Sequence, residues 1–185
     1  MTAASSPPPS SPTGELACEA LDDAAATRAL GRRLALALLP HCRRDHVPLL
    51  LLRGDLGAGK TCLVQGLAGE LGIDEPITSP TFALAQHYRG RRDGGGPTAL
   101  VHLDLYRLEE GPAADELFAQ EEEEARALGG LMAVEWPERL TTLPADAWLV
   151  ELSLRDPDRP EAGRLARIHA SAQGPAWRAT PEPAQ

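Results

Sequence analysis

No apolar stretch in these 185 residues approaches the roughly 20 that a membrane-spanning helix needs, and the first residues lack the basic-then-apolar pattern of a secretory leader. A soluble, cytoplasmic protein that keeps off the membrane is the expectation. Positive charge is scarce. The chain carries 18 Lys and Arg against 27 Asp and Glu, a net charge of −9. Such a surface does not neutralise nucleic-acid phosphates by itself, so any nucleic-acid role requires a basic partner. Three cysteines, Cys18, Cys42 and Cys62, are odd in number and form no CxxC pair. They read as reduced thiols and not as a disulfide framework. Asparagine is absent altogether, which removes the Asn-Lys-x-Asp pattern by which GTPases read guanine.

What is present fits one domain with tails to spare. A domain of about 150 residues buries roughly 70% of the surface its unfolded chain exposes, enough for a core without metal or disulfide staples. The Ser/Pro-rich start reads as a disordered tail over residues 1–14, the ordered domain spans 15–170, and 171–185 reads as a loose C-terminal tail. Glu15–Leu21 suits a short edge strand. Leu30, Leu34 and Leu38 recur at spacings of four in a helix from Asp22 to about Leu39, with Asp22 or Asp23 as N-cap and Pro40 as stop. The apolar run Val47–Leu52 marks a strand buried on both faces. Lys60–Leu71 reads as a helix, Thr81–Tyr88 as a strand, Arg89–Pro97 as a charged loop and Ala99–Leu105 as the next strand. Ala113–Leu128 is helical, with Glu121–Glu124 on a solvated face. Leu131–Glu135, Ala147–Leu154 and Leu165–His169 complete the strands, the last two as a hairpin. The predicted class is α/β: a P-loop NTPase-like sheet flanked by helices, mixed with antiparallel strands toward the C-terminus.

Gly54-Asp55-Leu56-Gly57-Ala58-Gly59-Lys60-Thr61 satisfies G-x-x-x-x-G-K-[ST] in full, between a buried strand and a helix. Each position has a physical duty. The glycines let successive N–H groups point into one concave nest, and the following helix aims its positive end at the same spot. Lys60 is placed to reach β- and γ-phosphates and Thr61 to set its hydroxyl on Mg²⁺. Backbone N–H groups from Gly57 through Cys62 complete the cradle, with that of Cys62 at the α-phosphate. With guanine recognition excluded, ATP is the expected nucleotide.

Such a loop needs an acid at the end of a neighbouring strand. Leu100-Val101-His102-Leu103-Asp104 supplies Asp104 as a second metal-side ligand, with His102 on the same face at period two. His102 itself reads as a packed or hydrogen-bonded strand histidine and not as a ligand. Leu131–Glu135 is another apolar strand with an acid at its tip, and Glu135 either polarises the attacking water or completes the Mg²⁺ shell. Trp136 covers nucleotide, docks a partner or simply packs. Ser79 and Thr81 lie in Thr78-Ser79-Pro80-Thr81-Phe82, either a switch-like loop sensing γ-phosphate or a plain linker. Arg107 pairs with Asp104 or Glu109 more readily than with a phosphate.

GDLGAGKT at Gly54–Thr61, SPTF at Ser79–Phe82, HLDLYRL at His102–Leu108 and VEWPE at Val134–Glu138 stand in the order and spacing of one family. From about Leu21 to His169 the chain resembles the bacterial TsaE family, the small P-loop ATPase of tRNA threonylcarbamoyladenosine biosynthesis. The resemblance implies an ATPase that works with TsaB-type and TsaD-type proteins and meets tRNA only indirectly through them. That assembly modifies the adenosine at position 37, and slow ATP hydrolysis resets it between cycles. By the same resemblance Lys60 and Thr61 hold phosphate and Mg²⁺, Asp104 and Glu135 are the acids, and Thr81 lies in the switch-like loop. Asp23, Gly163 and Arg164 match positions near the nucleotide. Cys62 departs from the pattern, standing where many relatives carry a second Thr. Glu121–Glu124 and the long Arg89–Pro97 loop are also unusual.

Two other functions remain compatible with the residues. A small-molecule kinase of the P-loop class needs an Arg-rich lid, for which Arg89, Arg91 and Arg92 are the candidates. A nucleotide-gated binding module needs no catalytic Glu135.

Overall fold

The computed structural model describes residues 15–43, 45–80 and 82–170, so both expected tails lie outside it, as does Thr81. Among the described residues, seven strands form one mixed sheet: β1 (Glu15–Leu21), β2 (Leu49–Arg53), β3 (Ala85–Arg91), β4 (Pro97–Asp104), β5 (Leu131–Glu135), β6 (Trp148–Leu154) and β7 (Arg164–His169). Their order is β1-β7-β6-β2-β5-β4-β3. The middle four, β6-β2-β5-β4, are parallel. Antiparallel β7 and β1 extend one edge and antiparallel β3 the other. The class is α/β as expected, but the antiparallel additions come from the N-terminus and the middle of the chain as well as from its end.

A parallel sheet is stable only with both faces covered. In β2, Leu50 and Leu52 enter a core shared with α1 (Ala24–Leu38) and α2 (Lys60–Glu70), where Leu30, Leu34, Leu63 and Leu67 meet them. Leu49 and Leu51 point the other way, into a second core with Phe118 and Ala125 of α3 (Pro112–Leu128). β5 divides in the same manner, Leu131 and Ala133 against Met132 and Val134. α1 starts at Asp23, whose carboxylate accepts from the Ala26 N–H at 2.7 Å. Such a cap stabilises by about 1 kcal/mol. Among the described residues no helix is long and apolar enough to cross a membrane.

Several local expectations give way. β3 begins at Ala85, not Thr81, because the Leu84 N–H turns back to the Pro80 carbonyl with Leu84 at a φ of +66°. The supposed loop 89–97 shortens to residues 92–96, since Arg89, Gly90 and Arg91 pair with Ala99, Thr98 and Pro97. Glu121 is not solvated. It is 5% exposed and its carboxylate meets His87 Nε2 at 2.5 Å, so the Glu run presents one member inward to the β3–β4 hairpin. Arg107 pairs with neither Asp104 nor Glu109; its guanidinium lies 4.3 Å from the Phe82 ring centroid.

The register places the chemistry. Asp104 and Glu135 end adjacent parallel strands as direct partners, and Leu52, the last fully buried residue of β2, also pairs with Glu135. At period two, His102 and Asp104 share the side of Leu100, and Glu135 the side of Ala133, which is the side on which α2 packs. Carboxyl ends of parallel strands are where ligands bind in such sheets.

Candidate nucleotide site

Residues 54–59 carry the chain from β2 into α2, with Gly54, Gly57 and Gly59 at φ of +148°, +80° and +106°. This left-handed backbone is the curvature that the phosphate-loop pattern predicts. Ala58 turns its methyl into the core and its N–H donates to the Asp55 carbonyl at 3.1 Å. Lys60 and Thr61 open the helix.

Lys60 is the sole lysine of the chain and is 5% exposed. Its ammonium donates to the carbonyls of Gly54 at 2.6 Å and Asp55 at 3.0 Å, and lies 4.0 Å from the centroid of the Trp136 ring. Burial pushes its pKa below the ordinary 10.5, against the pull of Glu135, Glu138, Asp104 and Asp55. Three carbonyl or π faces thus stand in for solvent around one cation. Trp136 is held there by a left-handed backbone, φ +62°, and by its N–H donating to the Leu52 carbonyl at 3.2 Å. Tyr106 tilts against it with ring centroids 4.9 Å apart.

The Thr61 hydroxyl donates to Glu135 Oε1 at 2.8 Å. His102 Nε2 meets the same oxygen at 2.9 Å. Asp104 Oδ2 accepts from the Ser79 hydroxyl at 2.5 Å and its Oδ1 from the Tyr106 N–H at 3.0 Å. Asp104 is 2% and Glu135 3% exposed, so these bonds hold two carboxylates in place beside the loop. A cavity of about 330 Å³ opens onto them, walled by Gly57, Gly59, Lys60, Thr61, Cys62 and Ser79 among others. Leu56, 79% exposed, stands at its rim.

A second cavity, of about 300 Å³, shares Gly59 and Cys62 with the first and is lined by Asp22, Asp23, Thr27, Glu161 and Arg164. The phosphate loop is the ridge between the two. Arg164 reaches the Gly57 carbonyl at 3.3 Å, bringing the start of β7 beside the loop. Gly163 packs against the end of β1: at φ +98° a Cβ there would meet the Leu21 carbonyl oxygen at 2.5 Å. The Cys62 thiol donates to the Ala24 carbonyl at 3.4 Å and accepts from Arg28 at 3.6 Å, tying α2 to α1.

The described residues selected from the sequence therefore converge, apart from the side chain of Ala58, which faces the core. Sequence reasoning missed the Lys60–Trp136 contact, Tyr106, and Asp22, Thr27 and Glu161 of the second cavity. Of these only Trp136, adjacent to Glu135, carried a readable signal.

Among the described residues no three His, Cys, Asp or Glu groups gather into an all-protein metal cage. Two carboxylates and one hydroxyl, all oxygen donors, are instead the partial set that suits Mg²⁺, which keeps waters and takes phosphate oxygens.

The family model "Threonylcarbamoyl adenosine biosynthesis protein TsaE" matches residues 21–162. A Synechocystis protein named tRNA threonylcarbamoyladenosine biosynthesis protein TsaE is 47% identical over 98 residues, 52% of this chain and 59% of its own length. A Nostoc protein of the same name is 42% identical over 120 residues, 65% of this chain and 68% of the relative. The crystal structure of YdiB, a Bacillus protein, superposes with a TM-score of 0.54 at 25% identity, covering 84% of this chain and 86% of that one. The chain spans less than two thirds of the Synechocystis relative's length, and about half that of a Mycobacterium tuberculosis protein of the same name.

Proposed function

Since the chain belongs to the TsaE family of threonylcarbamoyl adenosine biosynthesis proteins, we propose that it binds and slowly hydrolyses Mg·ATP in the cytoplasm. On this reading it works with TsaB-type and TsaD-type proteins in forming N6-threonylcarbamoyladenosine at position 37 of tRNA. The observation that carries the ATPase reading is the bond from Thr61 Oγ1 to Glu135 Oε1, 2.8 Å, beside the buried Lys60 ammonium. It joins the helix-borne hydroxyl and a strand-tip carboxylate in one cavity, the pairing that phosphoryl chemistry at a P-loop uses.

In the proposed complex Lys60 exchanges its two carbonyl partners for β- and γ-phosphate oxygens, and the nest of N–H groups holds the rest of the chain of phosphates. Thr61, Asp104 and Glu135 hold Mg²⁺, directly or through its waters, and the ion offsets the charge of the phosphates. Glu135 orients and polarises the attacking water. The second cavity, with Asp23 and Arg164 at its wall and Gly163 just behind Arg164, takes the nucleoside. With a net charge of −9 the chain reaches tRNA only through its partners.

A kinase reading fares worse. Arg92 pairs with Glu70 at the far end of α2, and the helix of 11 residues separates it from the phosphate loop by about 15 Å. Phosphate release by the purified chain, alone and with TsaB- and TsaD-type partners, tests the proposal. Release that partners stimulate supports it, whereas transfer of the phosphoryl group to a small metabolite, or tight binding with no turnover even in the assembly, overturns it.

A further inference from the structure

His102 is wholly buried in β4, one strand in from the β3 edge, an unusual place for an imidazole in the otherwise apolar run Ala99–Leu103. Its Nε2 lies 2.9 Å from Glu135 Oε1, and its Nδ1 is buried with no hydrogen-bond partner among the described residues. A carboxylate only accepts, so Nε2 carries the proton and donates. The unpaired Nδ1 means that the ring satisfies just one group, and that group is the strand-tip acid of the nucleotide site. A leucine at this position would pack without leaving a buried nitrogen unpaired. The fold keeps the histidine at a cost in polar burial.

We propose that His102 is a positioning residue for hydrolysis: its Nε2–H fixes the Glu135 carboxylate in the orientation that Thr61 also grips, while taking no part in ATP binding. This rests on the ATPase reading above. Two donors converge on Oε1 from different elements, Thr61 from the start of α2 and His102 from β4. Either alone leaves the carboxylate free to swing about the other bond; together they define its plane. Leu100 and Ala133, on the same side of the sheet, are also fully buried, so the ring lies away from solvent that could replace the lost donor. His102 does not line either cavity of the nucleotide site, so substrate does not touch it.

The test is turnover and Mg·ATP affinity, measured separately in the assembled complex for the wild type, His102→Leu and His102→Gln. Gln presents an amide N–H at nearly the place of Nε2, whereas Leu fills the space without a donor. His102→Leu is expected to lower kcat roughly ten- to a hundredfold while Kd for Mg·ATP moves by less than about threefold, and His102→Gln to recover most of the loss. In a Glu135→Gln background, His102→Leu is expected to cost nothing further in kcat. The cycle isolates the pair from general damage. Equal losses in affinity and turnover, a Gln variant no better than the Leu variant, or additive effects with Glu135→Gln would each overturn the inference. So would His102→Leu turning over like the wild type. Should His102→Leu not fold, the Gln variant and its cycle with Glu135→Gln decide by the same criteria. A wild-type chain that never hydrolyses ATP would instead sink the reading beneath it.

Discussion

The Lys60 ammonium rests over the face of Trp136, 4.0 Å from the ring centroid, while also donating to the Gly54 and Asp55 carbonyls. A cation held by neutral partners in a buried place loses some of its preference for the proton, which is why its pKa falls below 10.5. The phosphate site is therefore built around a charge that the protein partly desolvates in advance.

Amine labelling reads this directly, because Lys60 is the sole lysine. With its folded pKa lowered, the unfolded chain binds more protons between that value and 10.5, so stability rises with pH through this window. ATP affinity runs the other way, falling as pH climbs through the folded pKa. Peptide mapping after reaction with an acylating reagent is expected to show half-maximal labelling of Lys60 below pH 10.5, and protection by Mg·ATP. Labelling that sets in only above 10.5 would contradict the burial argument.

Glu135→Gln keeps the hydrogen-bond geometry and removes the negative charge. Binding of Mg·ATP is expected to survive, while phosphate release falls by about 10²–10⁴, the range for a lost general base. Single-turnover measurement separates the two. Undiminished release would take Glu135 off the catalytic list.

Arg164→Ala removes the guanidinium that meets the Gly57 carbonyl and lines the second cavity. If the nucleoside lies there, ATP affinity drops by about three- to tenfold with pyrophosphate affinity little changed. Equal losses for both ligands would place Arg164 at the phosphates instead.

The three thiols are expected to differ. Burial pushes Cys42 up to about 11, whereas Cys18 is exposed. Since the thiolate is the reactive form, an alkylating reagent at pH 8 should modify Cys18 well before Cys42. The raised pKa also favours the neutral thiol in the folded state. That contribution to stability is whole below the unfolded value near 9.0 and is lost as pH rises through about 11. Cys42 reacting as fast as Cys18 would refute this.

The phosphate loop and both acids were legible because their pattern is local: a glycine run between an apolar strand and a helix, then two apolar strands each ending in a carboxylate. The C-terminal hairpin of β6 and β7 was legible as two neighbouring apolar strands, but the pairing of Glu15–Leu21 with Arg164–His169 was not, since it spans most of the chain and leaves no short-range trace. Glu121 misled for the same reason. In a run of four glutamates nothing local singles out the member that faces His87 across the hairpin. His102 reads from the sequence as a packed or hydrogen-bonded strand histidine, but its partner is hidden there, because the register of two strands sets a contact between residues 33 apart.

Calorimetric titration of Mg·ATP into the folded chain, beside the Lys60→Ala variant, tests the central claim most directly. Saturable binding by the wild type and an affinity at least about a hundredfold weaker in the variant are predicted. No binding by the folded wild type, or equal binding by both, would contradict the account.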